Sequence, residues 1–272
     1  MFDLHSHSIC SDGSETPEAV VSIALKAGAD LFALTDHDCV DGVDAAMRHA
    51  ANIGLPMLTG TETEAEYHST LHILGLGMDI HEFGFEKLMK KQEQCREERN
   101  EKLEKRLREV GMDVSPTLER SMFCTTRANF AAALVKAGYA ADMDDAFNRI
   151  VGKGGIAYIK QEHPSPKEII SAINNAGGVA VAAHPMKMQC DPRALIAELA
   201  ELGLWGVEAY YYSATPGETR LFSSLARQHG LFVTCGSDFH GSRRPAAKIG
   251  CCYKECDDLK RTRAAINKRF NV

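Results

Sequence analysis

Phe2-Asp3-Leu4-His5-Ser6-His7-Ser8-Ile9-Cys10-Ser11-Asp12-Gly13 lies at the head of the chain, and its reading sets the fold. Residues 2–5 form a short apolar run ending in a polar residue, the signature of a strand that delivers its last side chains to an edge. Side chains two apart on a strand project from the same face, so His5 and His7 can reach one ion. A lone His-x-His carries little weight. Its meaning depends on what the other strand ends present.

Working outward, further apolar runs at residues 31–35, 56–61, 71–76, 178–183, 206–211 and 231–236 bring the expected strands to seven. They alternate with stretches of helical period at 17–27, 40–52, 166–175, 192–202 and 217–229, the first entered through Thr16 and stopped at Gly28, the second stopped at Gly54. Strand and helix in alternation give an α/β class with a parallel sheet or barrel. Nine residues separate Glu62 from His72, too few for a helical crossover, so that strand pair is also open to a hairpin.

Between about Asp79 and His163 the strand rhythm stops. A charged helix at 86–109 and shorter helices at 127–136 and 143–151 take its place, which divides the chain into a barrel, 1–80 and 164–272, and a helical insertion, 81–163, expected to cover the site. From Glu86 to Arg108 the long helix has nine basic and six acidic residues, and it reads as a solvated charged face. Arg96, Arg99 and Arg106 share a side that could instead meet a phosphate. After Gly241 come a short apolar run at 249–253 and a helix at 257–270.

The other strand ends repeat the chemistry of the first: Thr35-Asp36-His37-Asp38, Gly60-Thr61-Glu62, His72, Ala183-His184-Pro185 and Gly236-Ser237-Asp238-Phe239-His240-Gly241. In a barrel of parallel strands the C-terminal ends meet on one rim, where active sites are built. His5, His7, Asp12, His37, Glu62, His72, His184, Asp238 and His240 would gather there. Any one of them alone could be a satisfied strand-end residue; as an ordered set they point to metal ions.

Composition narrows the function. With 272 residues and 44% apolar content the chain can bury a substantial core, and no run approaches the roughly 18 apolar residues of a membrane span. Met1-Phe2-Asp3-Leu4-His5 has neither the basic leader nor the apolar core of a secretory signal. The nine cysteines are scattered and odd in number, which suggests neither a disulfide framework nor a thiolate zinc site, and a cytoplasmic location is expected. A net charge of −6 disfavours long duplex nucleic acid but allows a small phosphorylated molecule or a strand end. A monomer or small homo-oligomer is expected.

Through DLHSHSICSDG, LTDHD, GTE, LHILGLG, AAHP and GSDFHG, in that order, the chain resembles the PHP (polymerase and histidinol phosphatase) family, and specifically the branch of nucleoside 3′,5′-bisphosphate phosphatases and 5′-to-3′ exoribonucleases. The resemblance implies a distorted seven-stranded (β/α) barrel with two to three divalent ions. Its ligand scheme places His5, His7, Glu62 and Asp238 on one ion. Glu62 bridges to a second, completed by His72 and His184, and Asp12, His37 and His240 hold a third. Glu62, Asp238 and His184 carry the catalytic role. Three carboxylates and three divalent ions leave a local charge of about +3, which attracts phosphate. Such ions lower the pKa of water and align the resulting hydroxide for attack on phosphorus. Nitrogen and oxygen ligands suit manganese, iron or zinc alike, and the resemblance favours manganese.

The same resemblance assigns Arg127, in Thr126-Arg127-Ala128-Asn129, to substrate phosphate, which a guanidinium can grip with two parallel hydrogen bonds. Asn129 stands where the branch usually has histidine. Gly152-Lys153-Gly154-Gly155 and the following Tyr158 and Lys160 match a substrate-side segment, the last two equally readable as pocket lining or plain strand residues. Arg243 and Arg244, after the last of the strand-end segments, could touch substrate, but a solvated pair is the preferred reading. His49, His68, His81, His163 and His229 match no motif, and Cys10 and Cys39 lie near the set without being needed by it. The implied activity is hydrolysis of a nucleotide phosphate ester or a short RNA end. A histidinol-phosphate or other small-molecule phosphatase, and a non-catalytic interaction module, remain alternatives.

Overall fold

The computed structural model describes residues 1–120 and 124–272. Strands β1 (Phe2–Asp3), β2 (Leu31–Ala33) and β3 (Met57–Leu58) form a parallel sheet. Strands β4 (Gly60–Ala65), β5 (Leu71–Leu76), β6 (Val179–Ala182), β7 (Gly206–Tyr211) and β8 (Phe232–Gly236) form a second, mixed sheet. The expected seven strands are therefore eight among the described residues, because the run at 56–61 breaks after Leu58 and changes sheet. At that break Gly60 packs directly against the main-chain carbonyl of Leu34 and the side chain of Thr35, with no room for a Cβ.

Strand β4 pairs antiparallel with β5 over six residue pairs, so the short connection makes a hairpin, and β5 is antiparallel to β6 as well. The rim is consequently not made of C-terminal ends alone. His72 is the second residue of β5, opposite Glu64 near the end of β4, and the reversal of direction brings it to the side where the parallel strands finish. Single bridges stitch the two sheets at that side, Ser6 to Phe239 and His37 to Glu62.

Helices α1 (Pro17–Lys26) and α2 (Val43–Ile53) cover the first sheet, burying Val20, Val21 and Ala46 against Phe32 and Leu34. Thr16 caps α1 by accepting the Ala19 N–H, and Gly54 ends α2 in the left-handed region at φ 74°. Helices α6 (Pro166–Asn175), α7 (Pro192–Glu201), α8 (Pro216–Gln228) and α9 (Asp257–Phe270) pack on the second sheet, with Ile169, Ile173, Leu199, Phe222 and Ile266 in the largest core cluster. Among the described residues, no helix is long and apolar enough to cross a membrane.

Helix α3 (Phe83–Glu109) joins two cores. Phe85 and Met89, near its start, belong to the large cluster, whereas Leu103 and Leu107 pack with Phe130, Leu134 and Ile150 of α4 (Arg127–Lys136), α5 (Met143–Ala146) and the following turn. Between these anchors Gln92, Arg96, Arg99 and Asn100 are buried. The expected solvated charged face therefore holds for one side of α3 only: Gln92, Arg96, Arg99 and Asn100 face protein, whereas Lys90, Glu93, Glu97, Glu98, Lys102 and Arg106 are exposed.

Candidate metal centre

The strand ends bring all nine expected residues together. His5 and His7 lie just beyond β1, with Nε2 atoms 3.1 and 3.2 Å from Glu62 Oε2. His7 Nε2 is also 3.2 Å from Asp238 Oδ1, and His5 Nε2 is 3.6 Å from it. The other Glu62 oxygen, Oε1, is 2.7 Å from both His72 Nδ1 and His184 Nε2. His240 Nε2 is 3.1 Å from Asp12 Oδ1, and His37 stands between, Nδ1 at 3.2 Å from Glu62 and Nε2 at 3.8 Å from Asp12.

Three groups of these residues have ligand atoms within 4.8 Å of one another: His5, His7, Glu62 and Asp238; His7, Asp12, His37 and His240; and His37, Glu62 and His72. The first is the set the resemblance implies. The second adds His7 to the expected three. In the third His37 takes the expected place of His184, whose ring nonetheless reaches the same Glu62 oxygen.

A test of whether ions fit here comes from unmet hydrogen bonding. His5 Nε2, both ring nitrogens of His7, Glu62 Oε2 and His240 Nε2 are buried atoms with no hydrogen-bond partner. Buried polar groups are ordinarily paired, and a cluster of imidazole nitrogens and carboxylate oxygens left open toward one another is the arrangement a divalent cation satisfies. Burial would raise the Glu62 carboxyl, but His5, His37 and His72 outweigh it and hold the group well below the carboxylate range. Asp238 is likewise held low against burial by His5, His7, His240 and Arg244. Burial drops His37 to about 3 and His184 to about 4, whereas the neighbouring carboxylates outweigh burial at His5, His7 and His72 and hold those rings above the usual imidazole range.

Three site residues hold left-handed backbone without being glycine: Asp38 at φ 45°, His184 at φ 28° and Asp238 at φ 53°. Each follows a strand or its extension, where the chain must turn sharply. Such conformations cost about 1–3 kcal/mol and persist only where the surroundings enforce them.

Several participants were not legible in sequence. Glu208, in the middle of β7, accepts from His5 Nδ1 at 3.0 Å and from the His184 N–H at 2.7 Å. Tyr211 donates its hydroxyl to Asp238 Oδ2 at 2.6 Å, and Arg244 ion-pairs with the same oxygen. Arg244 is therefore only partly solvated. Asp36 accepts from the Ser8 N–H and from the hydroxyls of Ser8 and Ser11, holding the loop that carries Asp12. An acidic residue inside an otherwise apolar buried strand was the available signal for Glu208.

On the substrate side, a cavity of about 920 Å³ is lined by Asp12, His37 and His72 and also by Arg96, Arg99, Arg127, Tyr158 and Lys160. Arg127 Nη2 bonds the Ile159 carbonyl at 3.2 Å, its Nε is buried without a partner, and its guanidinium lies 5.4 Å from the Tyr158 ring centre. Lys160 is committed to Glu66 at 2.7 Å. Asn129 turns inward: its Oδ1 accepts from the Thr126 N–H and hydroxyl and closes the capping box of α4. His163, unassigned by motif, is mostly buried in the cavity wall 3.5 Å from Glu64.

A PHP domain model matches residues 3–161. The chain belongs to the PHP domain family. The matched span includes six of the nine clustered residues, and His184, Asp238 and His240 join them from beyond it. Within the family it is similar to a 3′,5′-nucleoside bisphosphate phosphatase of Chromobacterium violaceum, 32% identical over 258 residues covering 91% of this chain and 90% of that one. It is also similar to a 5′-3′ exoribonuclease of Haemophilus influenzae, 31% identical over 245 residues, 88% and 89% of the two chains. A solved structure from C. violaceum described as an amidohydrolase, with sulfate and no metal bound, aligns over 97% of this PHP chain and 96% of its own at a TM-score of 0.88 and 31% identity.

Proposed function

We propose that this PHP protein is a metal-dependent phosphoesterase that hydrolyses phosphate esters of nucleotides, a nucleoside 3′,5′-bisphosphate or the end of a short RNA. The observation that carries the reading is one cavity into which both the histidine–carboxylate cluster and two under-satisfied arginines open. Arg99 is 5% exposed, its Nη1 has no partner, and its Nε reaches only Gln161 Oε1 at 3.2 Å. Burial and the neighbouring Arg127 bring Arg99 down to about 9. A buried guanidinium at Arg99 and a half-buried one at Arg127, each with a spare donor, repel each other, and an anion between them relieves that repulsion. A substrate with a second phosphate meets that demand, and an uncharged substituent does not.

His5, His7, Asp12, His37, Glu62, His72, His184, Asp238 and His240 would hold two to three divalent ions, manganese first, with iron or zinc as alternatives. Bound there, such ions supply Lewis-acid stabilisation of charge developing on phosphoryl oxygens and a water of lowered pKa. The chain's own residues do the rest. Glu62 presents one oxygen to His5, His7 and His37 and the other to His72 and His184, so it ties the groups together. Arg127, with Tyr158 beneath it, and Arg99 orient the distal phosphate; Lys160 closes the cavity edge through Glu66. The architecture behind this is read as the distorted PHP barrel, 1–80 and 164–272, with residues 81–163 as a cap that excludes long duplexes and admits small or terminal groups.

The test is phosphate release from nucleoside 3′,5′-bisphosphates, short 5′-phosphorylated RNAs, nucleoside monophosphates and histidinol phosphate, each with Mn, Fe and Zn. Release from the first two classes with divalent ion is the expected result. Turnover of histidinol phosphate alone would reassign the substrate, and a protein that takes up no ion would be an interaction module.

A further inference from the structure

We propose that Glu208 is a positioning residue that sets the metal-facing atoms of His5 and His184 together; the inference rests on the metal-dependent reading above. Glu208 is fully buried and belongs to β7, a strand that carries none of the nine clustered residues. Its two oxygens serve two donors. Oε1 accepts from His5 Nδ1 at 3.0 Å, and Oε2 accepts the main-chain N–H of His184 at 2.7 Å while lying 3.2 Å from His5 Nδ1.

The first bond fixes a tautomer. With its proton held on Nδ1 by the carboxylate, His5 turns the Nε2 lone pair toward Glu62 and Asp238, where that nitrogen is buried and unpaired. The opposite tautomer would set a lone pair against the carboxylate and an N–H where an ion belongs. The second bond holds a turn. His184 sits at φ 28°, ψ 54°, and from that turn its Nε2 reaches Glu62 Oε1 at 2.7 Å. Gly236 makes room for the whole arrangement: a Cβ there would overlap both the Glu208 carboxylate and His5 Cβ.

The demand is for two acceptor atoms on one side chain. Glutamine has one oxygen and one NH₂ group, so with its oxygen on the His184 N–H it sets an NH₂ at the Oε1 position, 3.0 Å from His5 Nδ1, and with its oxygen turned the other way it sets that NH₂ against the His184 N–H. Aspartate keeps both oxygens but is one methylene shorter. Glu208 thus orients one member of the His5–His7–Glu62–Asp238 group and a second histidine that shares Glu62, from a single buried point. Partners of this kind behind a metal-bound histidine typically change metal affinity by about 10- to 100-fold.

The experiment compares full-length wild type, Glu208→Gln and Glu208→Asp for Mn²⁺ affinity by chelator competition and for bound ions by elemental analysis, with Tm in EDTA as the measure of fold. The expected result is a Mn²⁺ affinity lowered about 10- to 100-fold in folded Glu208→Gln and a smaller loss in Glu208→Asp. A merely structural role would lower the Tm in EDTA and leave the affinity of the folded protein unchanged, which would overturn the proposal. If Glu208→Gln does not fold, ¹⁵N NMR of the zinc-loaded wild type decides: a proton on His5 Nδ1 sustains the assignment, and one on Nε2 rejects it. Wild type that binds no divalent ion rejects the functional reading itself, whereas wild type and Glu208→Gln binding ions equally rejects this inference alone.

Discussion

Asp238 shows how much one residue at a strand end must do. Oδ1 faces the rings of His5, His7 and His240, Oδ2 takes the Tyr211 hydroxyl and the Arg244 guanidinium, and the backbone is left-handed. An amide in its place must turn an NH₂ either toward the imidazole lone pairs or toward the two donors. Asp238→Asn is therefore expected to cut phosphate release by more than about 100-fold with the far-UV circular dichroism unchanged, since even partners behind metal ligands cost about 10- to 100-fold. Gly236→Ala acts by overlap: the added methyl meets Glu208 and His5 within the packed centre. A loss of about 1–3 kcal/mol in urea denaturation is expected, together with weaker metal binding. Both predictions concern atoms that touch.

At the scale of the element, α3 links the loop beside the cluster to helices α4 and α5. Gln92 donates to Asp38 Oδ1 at 2.9 Å and to the Glu64 carbonyl, and Arg96 donates to the Asp38 carbonyl at 3.3 Å. The helix is thereby fixed to the loop beside His37. Arg96→Met removes a buried guanidinium from Asp38, and a destabilisation of about 1–3 kcal/mol is expected by thermal or urea unfolding, the cost of leaving buried polar groups unpaired. In the proposed reading helix α4 governs capture. Arg127→Ala should raise KM for a nucleoside bisphosphate by about 10-fold or more and change kcat much less, because a charge-assisted hydrogen bond to phosphate is worth about 1.5–3 kcal/mol. The charge pattern of α3 could not reveal any of this. Sequence shows that arginines share a side, but which of them are buried depends on segments distant in sequence, Asp38 beside Arg96 and Gln161 beside Arg99.

For the molecule as a whole, the cluster unites segments from both ends of the chain, so ions bound there should cross-brace the two sheets. Dialysis against EDTA is expected to lower Tm, and Mn²⁺ at about 100 times its Kd to restore about 2.7 kcal/mol per site by mass action. Differential scanning calorimetry with and without the ion measures it. What the sequence alone determined is the identity of the nine clustered residues and their shared rim. Period-two alternation aims His5 and His7 together, and short apolar runs ending in polar residues announce strand ends wherever the chain supplies them. Tertiary structure decided the rest. The reversal of β5, which carries His72 to the rim from the start of its strand, follows from sheet pairing. The burial of Arg96 and Arg99, the inward turn of Asn129 and the reach of Glu208 behind two histidines follow from packing between segments distant in sequence. Local propensity records how a side chain leaves its own backbone; it carries no information about which distant donor or acceptor will be waiting there, and that pairing sets the chemistry of the site.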